Sequence, residues 1–183
     1  MTVATVAYGE VAEAAEIEEE RRERTLASRI AGIARAIEKL SRGERAELSR
    51  LRQDSMRIPP EVFWRLVDQF EIHQLDEPFW MSVLPLMVTY PHTPGERPGH
   101  VLESAGVSAA RVERWLRLDK QGAWREADRL LSATKAKAVA GVDWVSFGHL
   151  LYRWDEKHRN NFARDFFVTR SRRAAQSTTE GGE

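Results

Sequence analysis

Apolar residues recur at three- and four-residue intervals along most of this chain, and that spacing fits helices and little else. Leu26, Ile30, Ile33, Ile37 and Leu40 line one helical face and leave Arg29, Arg35, Glu38 and Lys39 on the others. Phe63, Leu66, Val67 and Phe70 repeat the pattern, as do Val112, Trp115 and Leu116, then Ala127, Leu130 and Leu131. Trp144, Phe147, Leu151 and Trp154 follow, and Phe162 and Phe166 stand four apart. No segment alternates apolar and polar residues with a period of two between hairpin signals, which strands would need. The expected fold class is all-α, a compact bundle of about seven to nine helices.

Prolines, glycines and capping residues divide the pattern. Gly43 is expected to separate the first helix from a short second one built on Ala46, Leu48 and Leu51. Pro59 and Pro60 suit the start of a third helix, and Asp76 and Glu77 favour the positive end of a fourth. Pro85 is expected to kink or break that fourth, apolar helix. The run Tyr90 to Gly99 is dense in proline and glycine and reads as a loop. Ser108 and Asp143 are expected to cap helices, and Gly122 to break one. The expected organisation is a flexible tail at 1–15, a helical domain at 16–173 and a disordered tail at 174–183. The domain is either a single bundle or two lobes meeting at 91–99.

Composition excludes several function classes. Cysteine is absent, which removes disulfides, thiol nucleophiles and thiolate metal sites. No basic, apolar leader marks the first residues, and the apolar stretch Phe79 to Tyr90 falls short of the roughly 20 residues of a membrane span. A cytoplasmic protein with no membrane contact is therefore expected. The histidines, at 73, 92, 100, 149 and 158, form no pair four apart and no H-E-x-x-H motif. Asp76 with Glu77 and Asp155 with Glu156 are adjacent, so on a helix they diverge by about 100° and cannot serve jointly as acid and base. Neither G-x-G-x-x-G nor G-x-x-x-x-G-K-[ST] occurs, and Ser82 and Ser146 lie in no nucleophile elbow. No catalytic residue, metal ligand or cofactor is nominated. Trp64, Trp115, Trp144 and Trp154 fit buried faces, whereas Trp124, beside Arg125, is expected to be exposed.

Charge is balanced in total, 28 Lys+Arg against 28 Asp+Glu, but not along the chain. Residues 26–60 carry eight basic residues against four acids, 61–110 two against seven, and 111–140 eight against four. Alternating blocks of this kind can give a folded domain one positive and one negative face. Arg42, Arg45, Arg50, Arg52 and Arg57 surround the short second helix, with Ser49 between Arg45 and Arg52. Arg111, Arg114, Arg117, Lys120, Arg125, Arg129, Lys135 and Lys137 form the second block. Arginine forks suit phosphate oxygens, although long basic side chains also cover apolar surface or pair with acids.

The run Gly43-Glu-Arg-Ala-Glu-Leu-Ser-Arg50, followed by Ile58-Pro-Pro-Glu-Val-Phe-Trp64, resembles the G-x-x-A-x-L-R-R then P-x-x-[FY]-W pattern of the CasB-type small subunit of Cascade, the type I-E CRISPR surveillance complex. Arg129-Leu-Leu-Ser-Ala is similar to that family's R-L-L-x-A stretch. The run Val142 to Trp154, then Arg159 to Phe167, resembles its closing signature. The likeness spans Leu40 to Phe167; Ser49 departs from the first arginine of L-R-R, and Gly148-His149 interrupts the penultimate helix pattern. The resemblance implies a non-catalytic, all-helical subunit of an antiviral defence particle, binding nucleic-acid backbone without sequence preference and stabilising the guide RNA–target DNA duplex and the displaced strand of the R-loop. Its implied partners are the backbone and large subunits, a second copy of itself, guide RNA and target DNA. On this reading Arg42, Arg45, Arg50, Arg52, Arg114, Arg117, Lys120 and Arg125 contact phosphates. The rival expectation is a helical protein-interaction adaptor that binds no nucleic acid.

Overall fold

A computed structural model describes residues 21, 24–51, 58–137 and 141–180, and the expected flexible tail at 1–15 lies outside them. Among the described residues the fold is all-α, with nine α-helices and a 3-10 turn. The first helix, α1, covers residues 24–38 and buries Leu26, Ile30, Ile33 and Ile37 as its spacing requires. Next come α2 (Arg42–Ser49), α3 (Glu61–Gln69), the 3-10 turn Gln74–Asp76, α4 (Glu77–Thr89) and α5 (Pro98–Ser104). The remainder are α6 (Ala109–Leu116), α7 (Lys120–Ala136), α8 (Trp144–Arg153) and α9 (Glu156–Glu180).

The apolar helix α4 is the scaffold. It buries Phe79, Trp80, Val83, Leu84, Leu86 and Met87, and α2, α7 and α8 pack on it. Pro85 sits inside α4 without ending it. One core cluster runs from Leu26 to Phe166 and includes residues on both sides of the 91–99 loop. That loop is stitched to residues 142–144. Thr93 N donates to Val142 O at 3.1 Å, Val142 N to Pro91 O at 3.0 Å, and Asp143 N to Glu96 O at 3.1 Å. Buried indoles tie the elements together: Trp144 Nε1 donates to Tyr90 O (2.7 Å), Trp115 to Ala123 O (3.1 Å), Trp124 to Leu151 O (2.8 Å) and Trp154 to Leu118 O (2.9 Å). Each such bond satisfies a polar group that burial would otherwise penalise.

Several punctuation marks fall elsewhere than the sequence suggests. Ser108 and Asp143 do cap α6 and α8. Gly43, however, lies within α2, because Ser41 begins the helix through a capping box with Glu44. Gly122 lies in the first turn of α7, where its amide donates to the Asp119 cap at 2.6 Å. Gly148 does not interrupt α8 either: a Cβ there would lie 2.8 Å from Ile30 Cδ1, so its lack of a side chain admits α1. Residues 174–180, expected as part of a disordered tail, continue α9. No proline or glycine intervenes, and Ala174, Ala175 and Gln176 are good helix formers.

The Ser41 capping box is joined to α3 by an ion pair between Glu44 and Arg65. The Arg65 guanidinium, helped by the Ser41 hydroxyl and amide, holds the Glu44 carboxyl well below its usual 4.5, at about 2. A carboxylate favoured in the folded state contributes stability above its unfolded pKa and loses it as pH falls through the folded value. Glu44→Gln is therefore expected to remove part of the stability lost between pH 4.5 and about 2. Thermal melts of both proteins across that range check this, and parallel acid profiles would refute it.

Candidate functional site

The first basic surface is α2. Arg42 and Arg45 stand three apart on one helical face, and Arg50 follows as the C-cap residue. All are exposed, and none makes an ion pair among the described residues. Ser49 turns its hydroxyl back to Ala46 O at 2.9 Å. The helix ends at Ser49. Arg52 and Arg57 lie outside the described residues.

The second surface lies where α6 meets α7. Arg111, Arg114, Glu126 and Arg129 rim a hollow of about 390 Å³ floored by Trp115, Leu118 and Leu130. Its arginines differ in what already holds them. The Arg111 guanidinium donates to Arg129 O at 2.9 Å, and the Arg129 guanidinium donates to both Glu126 carboxylate oxygens at 3.0 and 3.1 Å. Arg114 has no such partner among the described residues, and the same holds for the exposed Arg117 and Arg125. Because α2 and α7 both pack on α4, the two basic surfaces share one scaffold helix.

Lys120 stands apart from the other nominated residues. Its ammonium lies 5.0 Å from the Tyr152 ring centre and 5.6 Å from that of Trp124, and the Tyr152 hydroxyl donates to Asp76 Oδ1 at 2.8 Å. Burial against these rings lowers its pKa, partly opposed by Asp76. A cation engaged on two aromatic faces has less to offer a phosphate than an unpaired arginine.

The tryptophan expectations are corrected at two positions. Trp124 is buried, because Gly122 does not break α7 and Ala123, Trp124, Ala127, Leu130 and Leu131 share its inner face. Trp64 is exposed at 42%, because α3 spends its buried face on Val62, Phe63 and Leu66. The sequence reading also missed a third basic feature, a groove between α5 and α9 lined by Arg97, Arg164 and Arg172. Among the described residues no group of three or more His, Asp or Glu is placed to hold a metal ion, and no helix is long and apolar enough to cross a membrane. Comparison with family models, with curated proteins and with solved structures finds no match to this chain.

Proposed function

We propose that this chain is a non-catalytic small subunit of a type I-E CRISPR surveillance ribonucleoprotein, a cytoplasmic particle in which it holds nucleic-acid backbone without reading sequence. The observation that carries the reading is how arginine is allotted. Arg65, Arg97, Arg129 and Arg173 are consumed by internal carboxylates. Arg42, Arg45, Arg50, Arg114, Arg117 and Arg125 are exposed, without such partners among the described residues, in the two basic blocks of the sequence. Backbone-directed binding needs cations that folding has not already neutralised, and it needs no base-reading element. In an RNA-guided particle base pairing supplies the sequence recognition, so such a subunit has only a charged track to provide for the guide RNA, the target DNA and the displaced strand. The other subunits and a second copy of the chain would take up its remaining surface.

A second reading, a protein-interaction adaptor, is favoured by exposed Trp64, Ile58 and Leu75, since aromatic residues are enriched at protein interfaces. Binding of the purified chain to labelled single-stranded DNA across a salt series separates the two. The nucleic-acid reading predicts binding whose logarithm falls steeply and linearly with the logarithm of salt, and an adaptor predicts no binding at about 0.1 M salt.

A further inference from the structure

Gly99 brings α5 directly onto α9. A Cβ at this position would lie 2.8 Å from both Phe162 O and Phe166 N and 3.0 Å from Asp165 Cβ. That close approach sets Arg97 and His100, at the start of α5, beside a single stripe of α9 that includes Arg164, Asp165, Val168 and Arg172, and the two walls border an open groove of about 650 Å³. Two other arginines of α9 are committed elsewhere, since Arg173 lies 3.0 Å from buried Glu103 and Arg159 donates to Leu116 O at 3.1 Å, and the exposed Arg170 is not part of the groove lining. Arg164 and Arg172 are exposed and make no ion pair among the described residues. Among the described residues Asp165 is the one carboxylate in the lining, and its Oδ1 accepts from the Arg97 guanidinium at 3.1 Å.

We infer that this groove is a phosphodiester-backbone site in which Arg164 and Arg172 hold phosphates and Asp165 is a built-in competitor that occupies Arg97. The inference rests on the nucleic-acid reading and adds a track that the sequence blocks do not contain. Arg164 and Arg172 are eight residues apart, about 12 Å along the helix. Side chains spaced in this way along one helix stripe can hold different phosphates of one strand. Val168, 39% exposed, lies between them and offers apolar surface to a sugar. Exposed side chains form both walls, which suits a polymer that passes through better than a small anion that must be enclosed. An incoming phosphate that displaces Asp165 from Arg97 gains a third fork.

The test is fluorescence anisotropy of the full chain with labelled single-stranded and duplex oligonucleotides over a salt series. Arg164→Gln with Arg172→Gln is expected to weaken binding at least about tenfold and to reduce the salt slope by roughly two, one for each lost phosphate contact. Asp165→Asn is expected to do the opposite, tightening binding severalfold and steepening the slope by about one as Arg97 becomes available. The gain is decisive, because a misfolded variant does not bind more tightly. The strand form showing the larger change identifies the ligand. If the wild-type chain binds and the double variant binds equally well with the same slope, the groove assignment is wrong while the nucleic-acid reading stands. If Asp165→Asn fails to tighten binding, Asp165 is no competitor. Loss of poly-glutamate binding with unchanged strand binding assigns the groove to acidic protein and overturns the inference. If the wild-type chain binds no strand, the underlying reading itself fails.

Discussion

Gly141→Ala is expected to be among the most destabilising single substitutions in this chain, at about 3 kcal/mol or more. A methyl group there would overlap Pro91 O, would lie 2.7 Å from Pro91 C and would press on Thr93 Oγ1 at 2.8 Å. Pro91 is backbone that no rotamer change can move, so residues 91–93 and 142–144 would have to part. Parting them endangers the Val142 N to Pro91 O and Thr93 N to Val142 O bonds. It also endangers the caps that start α8, where Trp144 N donates to His92 Nδ1 at 3.1 Å and Val145 N to Asp143 Oδ1 at 3.0 Å. For a chain of this size 3 kcal/mol is a fall in Tm of about 6–12 °C. Gly43→Ala is the matched control. Its added Cβ meets nothing nearer than Ser41 Oγ at 3.9 Å, and helix propensity favours alanine by about 1 kcal/mol. Circular dichroism melts in which Gly141→Ala matches the wild type would contradict the packing described.

The second large effect is on binding. Arg45→Glu combined with Arg114→Glu is expected to weaken strand affinity about 100-fold or more at low salt and to flatten the salt slope. Each substitution removes a cation and installs a charge that repels phosphate, and a charge-assisted hydrogen bond contributes about 1.5–3 kcal/mol. Neither residue is buried or ion-paired among the described residues, so the melting temperature should change little. Unaltered affinity and slope in a folded double variant would remove α2 and the α6–α7 hollow from the interface.

Local chemistry explains how much of this was legible in the sequence. The three- and four-residue apolar spacing is a direct projection of helix geometry, so α1, α3, α6 and α8 could be read, as could caps that act within a few residues, such as Ser108 and Asp143. Glycine misled because its meaning depends on tertiary context. Gly43 and Gly122 lie inside helices, while Gly99 and Gly148 are positions where another helix comes close. Trp64 and Trp124 exchanged roles because neighbouring side chains decide which aromatic is covered: Val62, Phe63 and Leu66 take the inner face of α3, whereas Trp124 shares that of α7 with Ala123, Ala127, Leu130 and Leu131. Exposed basic residues on α2, α6 and α7 were foreshadowed by charge blocks contiguous in sequence. The α5–α9 groove was not, since Arg97 and Asp165 are 68 positions apart and only folding joins them.

The central claim is membership in an RNA-guided particle, and affinity capture of the tagged chain from its native cells, with bound protein and RNA both sequenced, tests it most directly. The account predicts a multi-subunit complex containing short, repeat-derived guide RNA, released from the chain as salt is raised. Protein partners recovered without RNA would contradict it and leave the basic surfaces as faces for acidic proteins.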